Sequence, residues 1–209
     1  MSRIILDFAS ATTCKNDKEY IKRMIDELAA VDSGKHEVII KWQLFEKACE
    51  ILDPPVEPLK RDLFRWAYHY AKEKGYQTTA SVFDLPSLKY LLEYDIPFVK
   101  LANRPDLYWL AREVPRKISV YRSIHWDDTV IDNEKTLCCI SKYPAKPIEY
   151  STDFKVMDLK QGISDHTTDF ALYYLYLPEI IEWHYKLSDS TGYDAGEFAR
   201  TPEQLREIL

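Results

Sequence analysis

The segment from residue 37 to residue 83 contains a strand-like run, a helical pattern and a second strand-like run in immediate succession. It begins with EVIIKWQL at residues 37–44, continues with EPLKRDLFRWAYHYAKEKG at residues 57–75, and ends with QTTASVF at residues 77–83. The middle piece repeats apolar residues at helical intervals, at Leu59, Leu63, Trp66, Ala67 and Tyr70. Gly75 suits the left-handed position that follows a helix. This order predicts a βαβ unit with parallel strands.

The same alternation of strand and helix patterns extends to both ends of the chain. Strands are predicted at residues 3–8, 37–44, 77–83, 97–102, 117–123, 136–142, 162–164 and 180–185. Helices are predicted at residues 17–31 with Asn16 as the cap, at 57–75, from 86, at 105–114, 153–159 and 169–177, and from 201 to the end. The polar connection at residues 125–135 is too short for a full helix, which predicts one trimmed crossover.

About eight strands and seven or eight helices predict a (β/α)₈ barrel. With 209 residues, the chain lies near the lower length limit of that fold and is expected to form one domain over residues 1–209. A flavodoxin-like open sheet is the structural alternative. An open sheet of about five strands would leave three strand-like runs without a place, so the barrel is preferred.

Composition excludes several classes of function. The net charge of −6 argues against a nucleic-acid surface, and no apolar stretch reaches the ~20 residues that span a bilayer. With only 5 glycines, the chain has no glycine-rich phosphate loop. The cysteines at 14, 49, 138 and 139 lack metal-ligand spacing. We therefore expect a reduced, cytoplasmic protein with neither a nucleic-acid nor a membrane partner.

Two lysines interrupt apolar strands. Lys41 lies in VIIKWQ, where the two-residue period of a strand places it on the same side as Gln43, and Lys100 lies in FVKLAN. Because an unpaired buried charge is strongly disfavoured, each lysine must meet an anion. One hypothesis is an anion site at the mouth of the barrel, and the other is an internal ion pair with Asp7 or Asp84. Both stay open from the sequence.

Two histidines lie at the ends of successive predicted strands. His166 follows GISD and His184 follows IIEW, so Asp165 and Glu182 flank the pair. Neutral imidazoles on neighbouring strand ends can share one divalent metal that keeps open positions for water and substrate. Taken singly, each histidine is more often a hydrogen-bonded residue of the core or the rim. The pair together favours a metal site.

Six short motifs follow one another over nearly the whole chain. They are KWQ at 41–43, ASVFD at 80–84, VKLA at 99–102, CISKYPA at 139–145, GISDHT at 162–167 and IEWHY at 181–185. In type and order they resemble the motifs K-x-Q, (T/S)-x-F-(D/S), K-I-A-S, C-x-S-x-Y-P-A, G-x-S-D-H-T and I-E-x-H-F of the sialic acid synthase (N-acetylneuraminate synthase) family. Each motif alone is weak, but the last three are specific.

The resemblance implies a barrel enzyme that condenses phosphoenolpyruvate with an aldose to give a 2-keto sugar acid and phosphate. It implies a phosphoenolpyruvate site formed by Lys41, Ser81, Lys100, Asn103, Arg122, Ser141 and Ser164. It implies Mn²⁺ or Mg²⁺ held by His166 and His184, and a substrate side that includes Gln43 and Asp194. The catalytic candidates that it implies are Asp7, Glu182 and Tyr143, with Asp7 or Glu182 orienting or deprotonating the water.

The chain also departs from the family pattern. YRSI at residues 121–124 stands where the family has S-T-G-M, so Arg122 becomes the candidate for binding the phosphate there, and Asn103 takes the place of a serine. The chain resembles a short member without the antifreeze-like C-terminal domain, and family members are dimers, which predicts self-association. The alternatives are an inactive barrel that binds a ligand or a partner and, third, a metal-dependent hydrolase.

Overall fold

Eight parallel strands close into a barrel in the computed structural model, which describes residues 2–48, 55–128 and 134–209. Each strand pairs with the next along the chain, and the first pairs with the last. The strands are β1 (Arg3–Asp7), β2 (Glu37–Leu44), β3 (Gln77–Val82), β4 (Phe98–Leu101), β5 (Ser119–Ile124), β6 (Glu134–Cys139), β7 (Gly162–Asp165) and β8 (Ile180–His184). Closure confirms the predicted (β/α)₈ barrel and excludes the open sheet.

Helices connect the strands on the outside of the barrel. They are α1 (Ala11–Cys14), α2 (Lys18–Val31), α3 (Arg61–Glu73), α4 (Leu85–Leu91), α5 (Pro147–Asp153), α6 (Val156–Gln161), α7 (Ala171–Tyr176) and α8 (Pro202–Leu205), together with 3₁₀ helices at Pro105–Glu113 and Tyr193–Ala195. Within the described residues, no helix has the length and apolar character needed to cross a membrane.

The alternation of side chains along each strand divides the core in two. One set faces outward and packs against the helices, as Leu6, Ile40 and Trp183 do. The other set fills the lower barrel interior and consists of Ile5, Ile39, Phe98, Tyr121, Leu137 and Ile180. This apolar layer blocks the interior from below, as expected for a barrel with a filled core. Polar groups inside the barrel can therefore gather only above it, at the carboxyl ends of the strands.

Several predicted boundaries are wrong, for local reasons. Asp17 and not Asn16 caps α2, because the Asp17 side chain accepts a hydrogen bond from the Tyr20 amide at 2.7 Å. Helix α3 begins at Arg61 and not at residue 57. The helix predicted at 153–159 corresponds to α6, and α5 before it was not predicted. β6 ends at Cys139, so the last three residues of its predicted range belong to a loop. Residues 129–133 of the predicted trimmed crossover lie outside the described residues, as does Cys49.

Gly162, the first residue of β7, provides a test of the packing between strands. A Cβ atom added there would lie 2.6 Å from the backbone oxygen of Thr136 on the neighbouring β6. Unlike a side chain, this backbone atom cannot move away without shifting the strand. We expect Gly162→Ala to lower the free energy of unfolding by about 1–3 kcal/mol, measured by urea denaturation. Gly34→Asn is the control, since Gly34 has open space and a φ of 77° that asparagine tolerates. Equal effects of both substitutions would contradict the packing argument.

Candidate functional site

A cavity of about 1290 Å³ opens at the carboxyl ends of the strands. Every site residue predicted from the sequence lines it, with the exception of Arg122. The two lysines and the two histidines therefore converge on one space. Side chains alternate along a strand, so the residue two positions after each member of the inward apolar layer also points inward. Six cavity residues are placed in this way: Asp7, Lys41, Lys100, Ser123, Cys139 and Glu182.

Lys41 and Asp7 form a buried ion pair at the base of the cavity. Lys41 Nζ lies 2.6 Å from Asp7 Oδ2 and donates a second hydrogen bond to Ser81 Oγ at 2.8 Å. Burial would raise the pKa of Asp7, but the charges of Lys41 and His184 and the hydrogen bonds from Lys41 and Gln43 together lower that pKa to about 2. Burial would lower the pKa of Lys41, but Asp7 and Glu182 raise it. Both groups are therefore charged at neutral pH.

Lys100 has different surroundings. Its Nζ donates to Ser123 Oγ at 2.6 Å and to the Leu101 carbonyl at 3.3 Å, while its carboxylate partner, Glu182 Oε2, lies 3.4 Å away. Burial lowers the pKa of Lys100, and the attraction of Glu182 offsets this only in part. The hypothesis of an internal pair with Asp84 is wrong for either lysine, because Asp84 caps α4 by accepting from the Ser87 amide.

Glu182 connects the two lysines. Its Oε1 lies 3.9 Å from Lys41 Nζ and accepts a hydrogen bond from Ser164 Oγ at 3.3 Å. Its Oε2 is buried and, within the described part of the chain, has no hydrogen-bond partner. Burial would raise the pKa of Glu182, but the two ammonium groups lower it. Oε2 thus has Lys100 as its ion-pair partner at 3.4 Å but accepts no hydrogen bond from the described residues.

Gln43 and Asp194 occupy the side of the cavity near β1 and β2. Gln43 Nε2 donates to Asp7 Oδ2 at 3.0 Å and lies 3.4 Å from Asp194 Oδ1. Asp194 belongs to the 3₁₀ helix that follows β8, so the chain crosses the barrel mouth to bring it there. Burial and the negative charge of Asp7 raise the pKa of Asp194 to about 7. This corner can form hydrogen bonds with a polar ligand.

The two imidazoles lie side by side, with ring centroids 5.4 Å apart. Burial and mutual repulsion lower the pKa of His166 to about 4, and burial also lowers the pKa of His184. Both rings are therefore neutral, which is the state that binds a metal. His166 Nδ1 lies 2.8 Å from the Ile140 carbonyl, which selects the tautomer with its proton on Nδ1 and leaves Nε2 free to bind a metal.

A divalent cation fits this pair in part. Among the hydrogen-bonding atoms of the described residues, His184 Nδ1 is buried without a partner, although Asp194 Oδ1 lies 3.3 Å from it. No three His, Cys, Asp or Glu side chains of the described ranges form a complete ligand set. The donors present thus suit a metal held by two imidazoles that takes its other ligands from substrate and water.

Polar and aromatic groups from the loops border the mouth. Asn103 Nδ2 donates to Ser141 Oγ at 3.0 Å, so these two predicted residues lie together. The Tyr143 ring covers both imidazoles, with its centroid 4.3 Å from that of His166 and 6.0 Å from that of His184. Phe198 packs against Tyr143 at 4.9 Å. The histidines are thereby shielded on one side from solvent.

Arg122 does not join the site. In β5, Tyr121 belongs to the inward apolar layer and Ser123 lines the cavity, so the residue between them points outward. Its guanidinium pairs with Glu134, at 2.8 Å between Nε and Oε2, and lies over the Tyr108 ring. The predicted contact of Arg122 with phosphate is wrong because a strand alternates its side chains.

Among the strand residues that line the cavity, Ser123 and Cys139 were missed by the sequence reasoning. Ser123 places a small hydroxyl group beside Lys100, and the two-residue period counted from Tyr121 would have found it. Cys139, the last residue of β6, faces the cavity with its Sγ 4.0 Å from Ser141 Oγ, and burial raises its pKa to about 11. It was interpreted only as a buried strand residue. Its position in the CISKYPA motif was the available signal.

The Lys41–Asp7 pair predicts a specific loss of stability. Asp7→Asn leaves a buried ammonium without its partner and should lower the free energy of unfolding by about 3–5 kcal/mol at pH 7. The folded pKa of Asp7, about 2, lies below the ordinary 3.8, so its stabilisation is present above about pH 4 and is lost as the pH falls towards 2. The difference between wild type and variant should therefore shrink over that range in urea titrations.

Asp189→Asn is the matched control, because Asp189 makes an exposed ion pair with Arg23. Exposed pairs contribute little, so this variant should change stability far less than Asp7→Asn. If both variants lose the same stability, or if the difference for Asp7→Asn is independent of pH, the buried pair does not have the role assigned to it.

Comparison with solved structures identifies similar barrels. N-acetylneuraminic acid (sialic acid) synthetase from Leptospira borgpetersenii serovar Hardjo-bovis matches with a TM-score of 0.77 and 23% identity, over 98% of this chain and 80% of that chain. Spore coat polysaccharide biosynthesis protein E from Chromobacterium violaceum matches with a TM-score of 0.72 and 15% identity, over 99% and 72% of the two chains. No protein-family model and no curated protein matches the sequence.

A more distant barrel of the same kind also matches. It is a truncated 3-deoxy-D-arabino-heptulosonate 7-phosphate synthase from Thermotoga maritima, with a TM-score of 0.63 and 9% identity, over 99% of this chain and 83% of that chain. At these identities the likeness shows the fold alone. The chain thus has a barrel of the kind found in sialic acid synthase, as the motifs in its sequence led us to expect.

Proposed function

We propose that this chain is a synthase that condenses phosphoenolpyruvate with an aldose or another aldehyde, yielding a 2-keto sugar acid and phosphate. One observation carries the proposal: two buried ammonium groups and two neutral imidazoles face the same cavity at the carboxyl ends of the strands. That combination suits an anionic donor beside a polarised carbonyl. The names of the similar barrels, two of them synthases of keto sugar acids, agree with it.

The phosphoenolpyruvate would lie over Lys41 and Lys100. Both ammonium groups are nearly inaccessible to bulk water, so their attraction for an anion is screened much less than at a surface. Hydroxyl groups that can donate to phosphate and carboxylate oxygens surround them: Ser81, Ser123, Ser141 and Ser164. Asn103, bonded to Ser141, adds an amide. These side chains take the part that a glycine-rich loop plays in other phosphate sites.

The acceptor would lie on the histidine side. His166 and His184 would hold Mn²⁺ or Mg²⁺, a cation that can polarise an aldehyde oxygen when bound. Gln43 and Asp194 face the same corner and are placed to hydrogen-bond the hydroxyl groups of an aldose. Tyr143 would contact the acceptor at the mouth. The cavity volume of about 1290 Å³ accommodates both reactants together.

In the reaction, C3 of phosphoenolpyruvate attacks the aldehyde carbon, water adds at C2, and phosphate leaves. Of the two carboxylates that could orient the water, Glu182 is the better placed. Asp7 Oδ1 already accepts the Ala9 amide at 2.9 Å, and its Oδ2 accepts both Lys41 and Gln43. Glu182 Oε2 has no hydrogen bond of this kind within the described residues. Asp7 instead positions Lys41, and holding both reactants in place supplies much of the rate gain.

The first test is binding of phosphoenolpyruvate, followed by isothermal titration calorimetry. Lys41→Met removes one ammonium group and should weaken binding by at least tenfold, about 1.4 kcal/mol. Lys142→Met is the matched control, because Lys142 is an exposed lysine paired with Glu149 outside the cavity, and it should bind as the wild type does. Equal affinities for wild type and Lys41→Met would contradict the proposed anion site.

The second test separates a synthase from a barrel that only binds ligands. Phosphate release from phosphoenolpyruvate should depend on both an added aldose and Mn²⁺, and Glu182→Gln should reduce it at least a hundredfold while leaving phosphoenolpyruvate bound. Binding of phosphoenolpyruvate without phosphate release for every aldehyde in a broad panel would instead favour the ligand-binding module.

A dimeric state and a cytoplasmic location stay predictions.

The metal site has a test that does not depend on turnover. His166→Ala and His184→Ala should each weaken Mn²⁺ binding at least tenfold, measured by electron paramagnetic resonance titration of free Mn²⁺. His69→Ala is the control, since His69 lies on α3 away from the cavity. Unchanged Mn²⁺ affinity in both cavity variants would remove the pair from the metal site.

A further inference from the structure

The two cavity lysines are not equivalent. Lys41 Nζ has a carboxylate oxygen at 2.6 Å, which fixes it as a cation beside Asp7. Lys100 Nζ has neutral hydrogen-bond acceptors at 2.6 and 3.3 Å, Ser123 Oγ and the Leu101 carbonyl, and its carboxylate partner is more distant at 3.4 Å. The barrel thus holds one lysine in a tight ion pair and the other mainly among neutral groups.

This difference changes the proton affinity of the two amines. Burial lowers the pKa of Lys100 and the positive charge of Lys41 lowers it further, against the opposing attraction of Glu182. For Lys41 the balance has the opposite sign, because Asp7 and Glu182 together outweigh burial. Desolvation and a neighbouring cation are two general means of making a lysine nucleophilic. Lys100 has both.

The space around Lys100 admits a carbonyl compound. Its side chain lines the cavity, and the neighbouring inward residues on β5, β6 and β7 are small: Ser123, Cys139 and Ser164. Glu182 lies between the two lysines, with one oxygen facing each ammonium group. A ligand with a carboxylate beside its carbonyl can therefore direct the carboxylate towards Lys41 and present the carbonyl carbon to Lys100.

We propose that Lys100 is a nucleophilic amine that forms an imine with the ketone of a 2-oxo acid, an activity beyond the condensation proposed above. The Nζ–C2 bond forms, and the C2 oxygen leaves as water. The ammonium group of Lys100 carries three protons and the protonated imine keeps one, so the departing water takes the other two. Glu182 Oε2, at 3.4 Å, is placed to carry a proton from the nitrogen to the oxygen.

The two roles of Lys100 are compatible because different ligands set its charge. A bound phosphate attracts the proton and keeps Lys100 an ammonium group, whereas phosphoenolpyruvate itself has no ketone with which an amine could react. A 2-oxo acid brings a ketone and a single carboxylate, which Lys41 can neutralise. The imine therefore requires neither phosphoenolpyruvate nor a metal, and its test is independent of the synthase proposal.

The experiment traps the imine in the wild-type protein. The full chain is incubated at neutral pH with pyruvate and EDTA, treated with sodium borohydride, digested, and analysed by peptide mass spectrometry. We expect an N-(1-carboxyethyl) group on Lys100, at an occupancy at least about tenfold above that of Lys41 and of the exposed Lys142. No adduct on Lys100, or equal labelling of all three lysines, overturns the proposal.

A variant adds a second, independent comparison. Lys100→Arg keeps a cation on β4 but cannot form an imine, so borohydride with pyruvate should leave the cavity peptides of this variant without the adduct. Total incorporation of carbon-14 from labelled pyruvate should fall to the background level. That background is measured on wild type that receives borohydride before pyruvate. Incorporation in Lys100→Arg equal to that of wild type would show reaction at other lysines and would overturn the assignment.

Discussion

The structure depends on the need to neutralise two lysines inside a closed barrel. Lys41 and Lys100 reach the interior because β2 and β4 alternate their side chains, and Asp7 and Glu182 reach it from β1 and β8 for the same reason. A buried ammonium without a counter-charge would cost far more than a typical domain could offset. The four strands must therefore keep their register for the fold and the site to exist together.

This constraint also explains how the site divides its tasks. Asp7 accepts hydrogen bonds at both of its oxygens and acts through Lys41, whereas Glu182 Oε2 accepts none from the described part of the chain. The apolar layer that contains Phe98 and Tyr121 closes the barrel below, so ligands enter only from the mouth. Charge sits at the bottom of the cavity, and neutral imidazoles sit nearer the opening. A donor anion and an acceptor carbonyl would thus occupy distinct ends.

Much of this arrangement could be predicted from the sequence. Alternation within VIIKWQ correctly placed Lys41 and Gln43 together, and the histidines after GISD and IIEW correctly met at one rim. The error at Arg122 arose from matching a motif position by position, when the strand itself required Ser123 to face inward. Asp17 and not Asn16 caps α2 because Asp17 has the extended backbone of a cap residue, with φ −117°, whereas Asn16 is left-handed with φ 46°, a difference that residue types alone do not specify.

Pairings between distant strands, such as Lys100 of β4 with Glu182 of β8, were beyond sequence reasoning. For Lys41 the structure shows the internal ion pair with Asp7, its register partner on the neighbouring β1, and the anion site above that pair stays a proposal. The most direct measurement of the central claim is anomalous X-ray diffraction from crystals grown with Mn²⁺ and phosphoenolpyruvate. We expect a manganese peak between His166 and His184 and phosphate density over Lys41 and Lys100. A ligand bound outside the barrel mouth, with no metal at the histidines, would contradict it.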